Sequence, residues 1–139
     1  MIFVNLPVAD LDRAVAFYKA VGAEQNPQFS DETAAMMSLS PEINVMLLTH
    51  DKFKQFTSKR IGDARETTEV LLALSADSRE EVDAITEKAI AAGGRQARAT
   101  EDHGWMYGRS FEDPDGHVWE PFWMDFAAAS QATPQPATA

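Results

Sequence analysis

Phe3-Val4-Asn5-Leu6-Pro7-Val8-Ala9-Asp10-Leu11-Asp12-Arg13-Ala14-Val15-Ala16-Phe17-Tyr18 is the stretch that decides the fold. Its first part, Phe3 to Val8, is an apolar run of strand length. Asp10 supplies the short acceptor side chain that caps a helix. Behind it Leu11, Ala14, Val15, Tyr18 and Val21 recur at helical spacing, so a helix over 11–21 buries one stripe. Gly22 ends it in the position where a left-handed residue closes the last turn. Three shorter strands are expected next, over about 26–30, 33–40 and 43–49, with turns at Ser30-Asp31-Glu32 and Ser40-Pro41-Glu42.

The same order then returns. Residues 50–68 are polar and mixed; 51–56 is a candidate short helix and 57–68 a linker, the one credible internal boundary. Glu69 to Ser75 is the next strand. Ser78-Arg79-Glu80-Glu81 has the spacing of a capping box, and Val82, Ile85, Ala89 and Ile90 mark the buried stripe of the helix it opens. Gly93-Gly94 stops that helix. Strands over about 95–100, 105–112 and 117–124 follow, the last two joined by the turn Asp113-Pro114-Asp115-Gly116. Val8-Ala9-Asp10 and Ser75-Ala76-Asp77 stand at equivalent strand-to-helix junctions, so the chain repeats one supersecondary unit. The expectation is an α+β domain over 1–126 made of two βαβββ modules, 1–56 and 69–126, with curved mixed sheets around a cavity. Residues 127–139, rich in Ala, Ser, Gln, Thr and Pro, are expected to form a disordered tail.

Composition narrows the function. A length of 139 residues suits one domain, and 45% hydrophobic residues suffice for a core. The formal charge of −10 opposes binding to nucleic acid, which needs a basic face, and to anionic membrane surfaces. With no cysteine there is no disulfide, thiolate metal site or cysteine nucleophile. The start at Met1 lacks a basic, then apolar, leader pattern, and no apolar run reaches about 18 residues, so a cytoplasmic location is expected. Ser-His-Asp spacing, a P-loop and a dinucleotide fingerprint are all absent.

The opening segment, a strand followed by Val8-Ala9-Asp10-Leu11 and a helix carrying Phe17-Tyr18, resembles that of vicinal-oxygen-chelate proteins. Phe111-Glu112-Asp113-Pro114-Asp115-Gly116-His117-Val118-Trp119-Glu120 resembles their closing Phe-x-Asp-Pro-Asp-Gly-x-x-x-Glu. The resemblance covers about residues 1–126 and is to the glyoxalase, bleomycin-resistance and extradiol-dioxygenase superfamily, within it to bacterial lactoylglutathione-lyase-like proteins. It implies a fold in which metal-dependent members place one ligand on each of four strands. Carried onto this chain, those positions are Phe3, Leu47, Leu71 and Glu120. Phe and Leu cannot ligate, so Glu120 is the only retained ligand position and Asn5 is a weak oxygen donor nearby. No metal cofactor is expected, although a divalent ion is not excluded.

Glu120 has three readings: an ion pair with Arg109 across the hairpin, a ligand-facing carboxylate, or a metal ligand. His103, in the loop Glu101-Asp102-His103-Gly104-Trp105, and Tyr107 are the other candidate acid–base groups. His50 and His117 read as outward-facing. Alternation places Tyr107, Arg109 and Phe111 beside Val118, Glu120 and Phe122, an apolar wall with one charged pair. Trp105, Arg109, Phe111, Phe122 and Asn5 are therefore the candidate ligand-binding residues, with Trp119, Trp123 and Met106 on the outer face as a possible homodimer surface. The functions that follow are a metal-free binding protein for a small organic ligand, a metal-dependent lyase, isomerase or extradiol dioxygenase, and a metal-independent enzyme using Glu120, Tyr107 or His103.

Overall fold

The computed structural model describes residues 1–131 and has the expected α+β architecture of two βαβββ modules. The first module runs β1 (Ile2–Val8), α1 (Leu11–Val21), β2 (Glu24–Asn26), β3 (Ala34–Ser38) and β4 (Ile43–Thr49), and a short α2 (His50–Phe53) leaves it. Its sheet has the order β1-β4-β3-β2. β1 and β4 are parallel, so α1 is the crossover helix that parallel neighbours require. The Asp10 side chain accepts from the Arg13 N–H at α1, and Gly22 closes the helix at φ 115°.

The second module repeats this with β5 (Leu71–Ser75), α3 (Arg79–Ala91), β6 (Arg95–Gln96), β7 (Glu101–Asp102), β8 (Met106–Gly108), β9 (Phe111–Glu112) and β10 (Val118–Met124). β5 lies parallel to β10, as β1 does to β4. β8 and β9 are two halves of one strand facing β10 in a single register, Phe122 opposite Gly108 and Trp119 opposite Phe111. The break falls where Arg109 meets Pro121, which has no N–H to give; the Arg109 N–H still reaches the Pro121 carbonyl at 3.1 Å. β6 and β7 are the corresponding halves of the outermost strand, pairing with β9 and β8.

Each sheet curls into a half-barrel with its helix on one face. Side chains at Val4, Leu6 and Val8 turn to the helix face, where a single core joins Leu6, Phe17, Tyr18, Met37 and Leu47 of the first module to Ala89, Phe111 and Trp119 of the second. α1 packs against α3 across that core. The opposite, open faces leave large apolar side chains in solvent: Phe3 is 45% exposed and Leu71 57%.

Several boundaries differ from the expectation, and the strand placed at 69–75 begins only at Leu71. The strand placed at 26–30 ends at Asn26, because Pro27 opens a 3-10 turn (Pro27–Phe29) that the Asn26 side chain caps. The strands placed at 95–100 and 105–112 are interrupted as described above. The tail placed from 127 begins as a helical turn, α4 (Phe126–Ala129), capped by Asp125; positions 132–139 of that expectation lie outside the described residues. Among the described residues no helix is long and apolar enough to cross a membrane.

Candidate functional site

Residues 57–68, read as a linker, form together with Glu69 and Val70 a strap across the seam between the modules, and beneath it lies a cavity of about 490 Å³. Asn5 and Pro7 of β1 line one side and Leu72 of β5 with Val118 of β10 the other. Ile61, Ala64 and Val70 roof it with apolar surface, while Lys59 and Arg60 bring cations to it. The volume falls in the range of small-molecule sites, roughly 300–1,000 Å³. Gly116, at φ 93°, lies against the strap so closely that a Cβ there would come within 2.7 Å of the Arg65 nitrogen. Arg65 also donates from its guanidinium to the Pro114 carbonyl at 3.2 Å. The turn at 113–116 therefore holds the strap in place.

That turn also ties the two modules together. Tyr18 of α1 donates its hydroxyl hydrogen to Asp113 Oδ2 at 2.6 Å and accepts from the Trp119 indole at 2.9 Å. Asp113 Oδ1 accepts the backbone N–H groups of Asp115 and His117, both at 2.9 Å. Asp115 Oδ1 accepts from the Ala9 N–H at 2.9 Å, with Arg13 3.6 Å away. His117 Nε2 donates to the Pro7 carbonyl at 2.8 Å. Burial lifts the Asp113 carboxyl above its ordinary range against the pull of His117 and Tyr18. Burial and the adjacent Asp113 charge likewise raise the Tyr18 hydroxyl well above its own. The Asp-Pro-Asp-Gly signature is thus a clasp between modules, in which both Asp113 oxygens and Asp115 Oδ1 are engaged and Asp115 Oδ2 is buried without a hydrogen-bond partner.

Glu120 does not meet Arg109. The register sets Glu120 across from Ser110 and Arg109 across from Pro121, so their side chains leave opposite faces of the sheet. The expected pair was one residue out of register, and such a slip exchanges faces. Arg109 instead reaches α3, at 3.1 Å from Asp83 and 2.8 Å from Glu87. Glu120, 17% exposed, takes Arg98 Nη2 at 2.8 Å, and Arg98 Nη1 lies 2.7 Å from Glu101. Burial opposes the Arg98 charge, but Glu120 and Glu101 together hold its guanidinium above the ordinary value. His103 Nε2 follows at 3.6 Å from Glu101, and its ring stacks on Trp105. A chain Glu120–Arg98–Glu101–His103 results.

The donor chemistry around Glu120 does not fit a divalent ion. Phe3 and Leu71 share the open face with Asn5 and Glu120 respectively, but neither has a donor atom. Leu47 is corrected: it pairs with Leu6 and is buried in the core, so the open-face neighbours on β4 are Met46 and Leu48. Among the described residues no three His, Cys, Asp or Glu side chains group as a metal site. Arg98 already occupies the one retained carboxylate.

Of the candidate catalytic and ligand-binding residues named from the sequence, Asn5 alone lines the cavity. Tyr107 points to the helix face, donating to Asp83 at 2.7 Å, which raises its hydroxyl above the ordinary range. Phe111 is core. Phe122 shares the open face with Glu120. The supposed outer aromatic face is also corrected. Trp119 is buried at 4% exposure and Trp123 lies beneath the Arg79 guanidinium, while Met106 is on the other side of the sheet. His117, read as outward, lines the cavity. The strap residues were missed. Their one sequence signal was Lys59-Arg60 beside Ile61-Gly62, a local cationic and apolar pairing in an acidic chain.

The model of the Glyoxalase/Bleomycin resistance protein/Dioxygenase superfamily matches residues 2–120. A hypothetical protein of S. aureus has a similar structure, with TM-score 0.74 and 29% identity over 88% of this chain and 92% of that one. A glyoxalase/bleomycin resistance protein/dioxygenase family enzyme from Burkholderia phytofirmans gives TM-score 0.72 at 22% identity, over 88% and 96%. The fosfomycin resistance protein FosX from Listeria monocytogenes gives 0.64 at 23%, over 99% and 94%. No protein with a curated description matches the chain.

Proposed function

The chain belongs to the glyoxalase, bleomycin resistance protein and dioxygenase superfamily, and from that premise we propose that it binds a small organic molecule in the strap-covered cavity without using a divalent metal. The observation that carries this reading is a ligand-sized cavity at the seam lined by a single carboxylate, Glu69, while Glu120, the one retained ligand position, lies outside that lining and is bound to Arg98. A structural divalent site needs several donors converging at fixed geometry. Untagged protein dialysed against manganese, zinc and nickel should retain no stoichiometric ion by elemental analysis. A small-molecule screen should find compounds that raise the melting temperature, because ligand that binds only the folded state stabilises it by mass action. One equivalent of a divalent ion, lost in Glu120→Ala, would overturn the reading.

The chain Glu120–Arg98–Glu101–His103 supports a second reading, metal-independent acid–base catalysis on the open face of the second sheet. Tyr107, on the other face, has no part in it. Turnover of a bound compound that falls in both Glu120→Gln and His103→Ala is its expected signature.

A homodimer fits the free strand edges. β1 and β5 are edge strands of their sheets, and Ile2, Phe3, Val70 and Leu71 expose large side chains there. Long exposed edges with apolar faces invite pairing, and a second copy presents the complementary surface by symmetry. Light scattering should give twice the chain mass of 15.3 kDa. A Phe3→Glu/Leu71→Glu variant that leaves a dimer intact would place the interface elsewhere.

A further inference from the structure

We infer that the seam cavity takes an organic anion, an apolar body bearing one carboxylate or phosphate group that Lys59 and Arg60 receive. The inference rests on the proposal that this cavity is a ligand site. Two features carry it. The chain has 22 acidic against 12 basic residues, yet the side chains brought to the cavity include Lys59, Arg60 and only one acid, Glu69. And among the described residues, Lys59 and Arg60 take part in no ion pair, and of the seven basic side chains that take part in none (Lys19, Lys52, Lys54, Lys59, Arg60, Arg65 and Lys88) they are the two that line the cavity.

The chemistry is divided along the strap. Lys59 and Arg60 stand at its first part and precede Ile61, which with Val70, Leu72 and Val118 makes the apolar lining. Thr57 and Thr68 add hydroxyls able to donate to the same head group, while the Thr67 hydroxyl donates to the Asp63 carbonyl at 3.2 Å. An adjacent guanidinium and ammonium suit a head group with several acceptor oxygens, because charge-assisted hydrogen bonds are the strong ones. The apolar lining suits the rest of the molecule. In a chain of net charge −10, a pair of unneutralised cations at the cavity also gives an approaching anion a favourable place to land.

Calorimetric titration with 1-naphthoate, 1-naphthyl phosphate, 1-naphthalenemethanol and 1-naphthylmethylammonium tests this on the full chain. The four share one apolar body and differ in head group. At least one anion should bind about tenfold more tightly than the alcohol or the ammonium, weaken in 0.5 M salt, and lose that advantage in Lys59→Glu/Arg60→Glu. The better of the two anions identifies the head group. Both substituted residues are exposed, so the variant should fold, and an unchanged melting temperature checks that. Val118→Trp, which fills the cavity, should abolish binding of every probe. If all four bind alike and all are lost in Val118→Trp, the anion inference fails while the cavity stands. If anion binding survives Val118→Trp but not the charge reversal, the anion sits on the surface, and the inference fails. If no probe binds the unmodified protein, the inference and the cavity reading fail together.

Discussion

Asp113→Ala should lower stability by roughly 3–5 kcal/mol, the cost of leaving buried partners of a removed charged group unsatisfied. Three donors lose their acceptor at once: the Tyr18 hydroxyl and the backbone N–H groups of Asp115 and His117. The cost arises mainly from those orphaned groups. Burial already penalises the Asp113 charge, and raises its carboxyl accordingly, so ionisation of this group works against folding as pH climbs past its ordinary value near 3.8. Asp113→Asn isolates the difference. Its amide oxygen can still serve both backbone donors, and only the Tyr18 hydroxyl is left without an acceptor, so about half the loss is expected. For a domain of this size each kcal/mol is worth about 3–4 °C, and thermal unfolding should place Asp113→Ala about 10–20 °C below the unmodified protein. The network also sets an alkaline limit. Tyr18 is held protonated to a pH above its unfolded value of 10.0, so its contribution is complete below pH 10 and drains away as pH rises toward the raised value. Tyr18→Phe should flatten that alkaline decline. An Asp113→Ala variant within about 1 kcal/mol of the parent would show that the clasp is not what holds the modules.

The repeat was legible because apolar periodicity, caps and turn residues are local. Asp10, Gly22 and Ser78 each state their role within a few positions, and each does in the fold what its neighbours imply. The site was less legible, because it depends on register and on contacts distant in sequence. Nothing near Glu120 tells whether Ser110 or Arg109 stands opposite: a tip of Asp113 to Gly116 sets Arg109 there, whereas Glu112 pairs with Val118, so the loop includes His117 and the pairing shifts by one residue, which exchanges faces. Pro121 held a clue, since a proline in a central strand marks a break in the ladder. The closing motif was legible as a turn but not in what its side chains hold. Asp113, Asp115 and His117 are chemistry-bearing residues in a recognisable pattern, but their atoms reach Tyr18, Ala9 and Pro7, about a hundred positions away. The strap was unreadable for a simpler reason. A segment with almost no secondary structure has no periodicity to betray what it covers.

Gly93 and Gly94, adjacent and alike in the sequence, should respond to substitution in opposite ways. Gly93 has φ 105°, and a Cβ built on it meets nothing within 4 Å. Its requirement is conformational, so Gly93→Asn, the residue best tolerated at positive φ after glycine, should cost about 1 kcal/mol. Gly94 has the reverse problem. A Cβ there would stand 2.5 Å from the Glu112 carbonyl oxygen, 2.9 Å from that of Ala89 and 2.9 Å from the Phe17 ring. Two of these are backbone atoms of β9 and α3, and the third is a core ring only 1% exposed, so none can yield cheaply. Overpacking of this kind costs about 1–3 kcal/mol for small additions, and Gly94→Ala should fall at the upper end. Gly94→Val adds two methyl groups to the same contact and should exceed it, forcing the end of α3 away from α1 and β9. Because α1 and α3 meet across the core that unites the modules, the displacement would also open the seam and remove the cavity beneath the strap. Urea unfolding of the three variants separates the two effects. A Gly94→Val protein as stable as Gly93→Asn would mean that the helix end is not wedged against its neighbours, and that the modules keep their spacing by the Asp113 clasp alone.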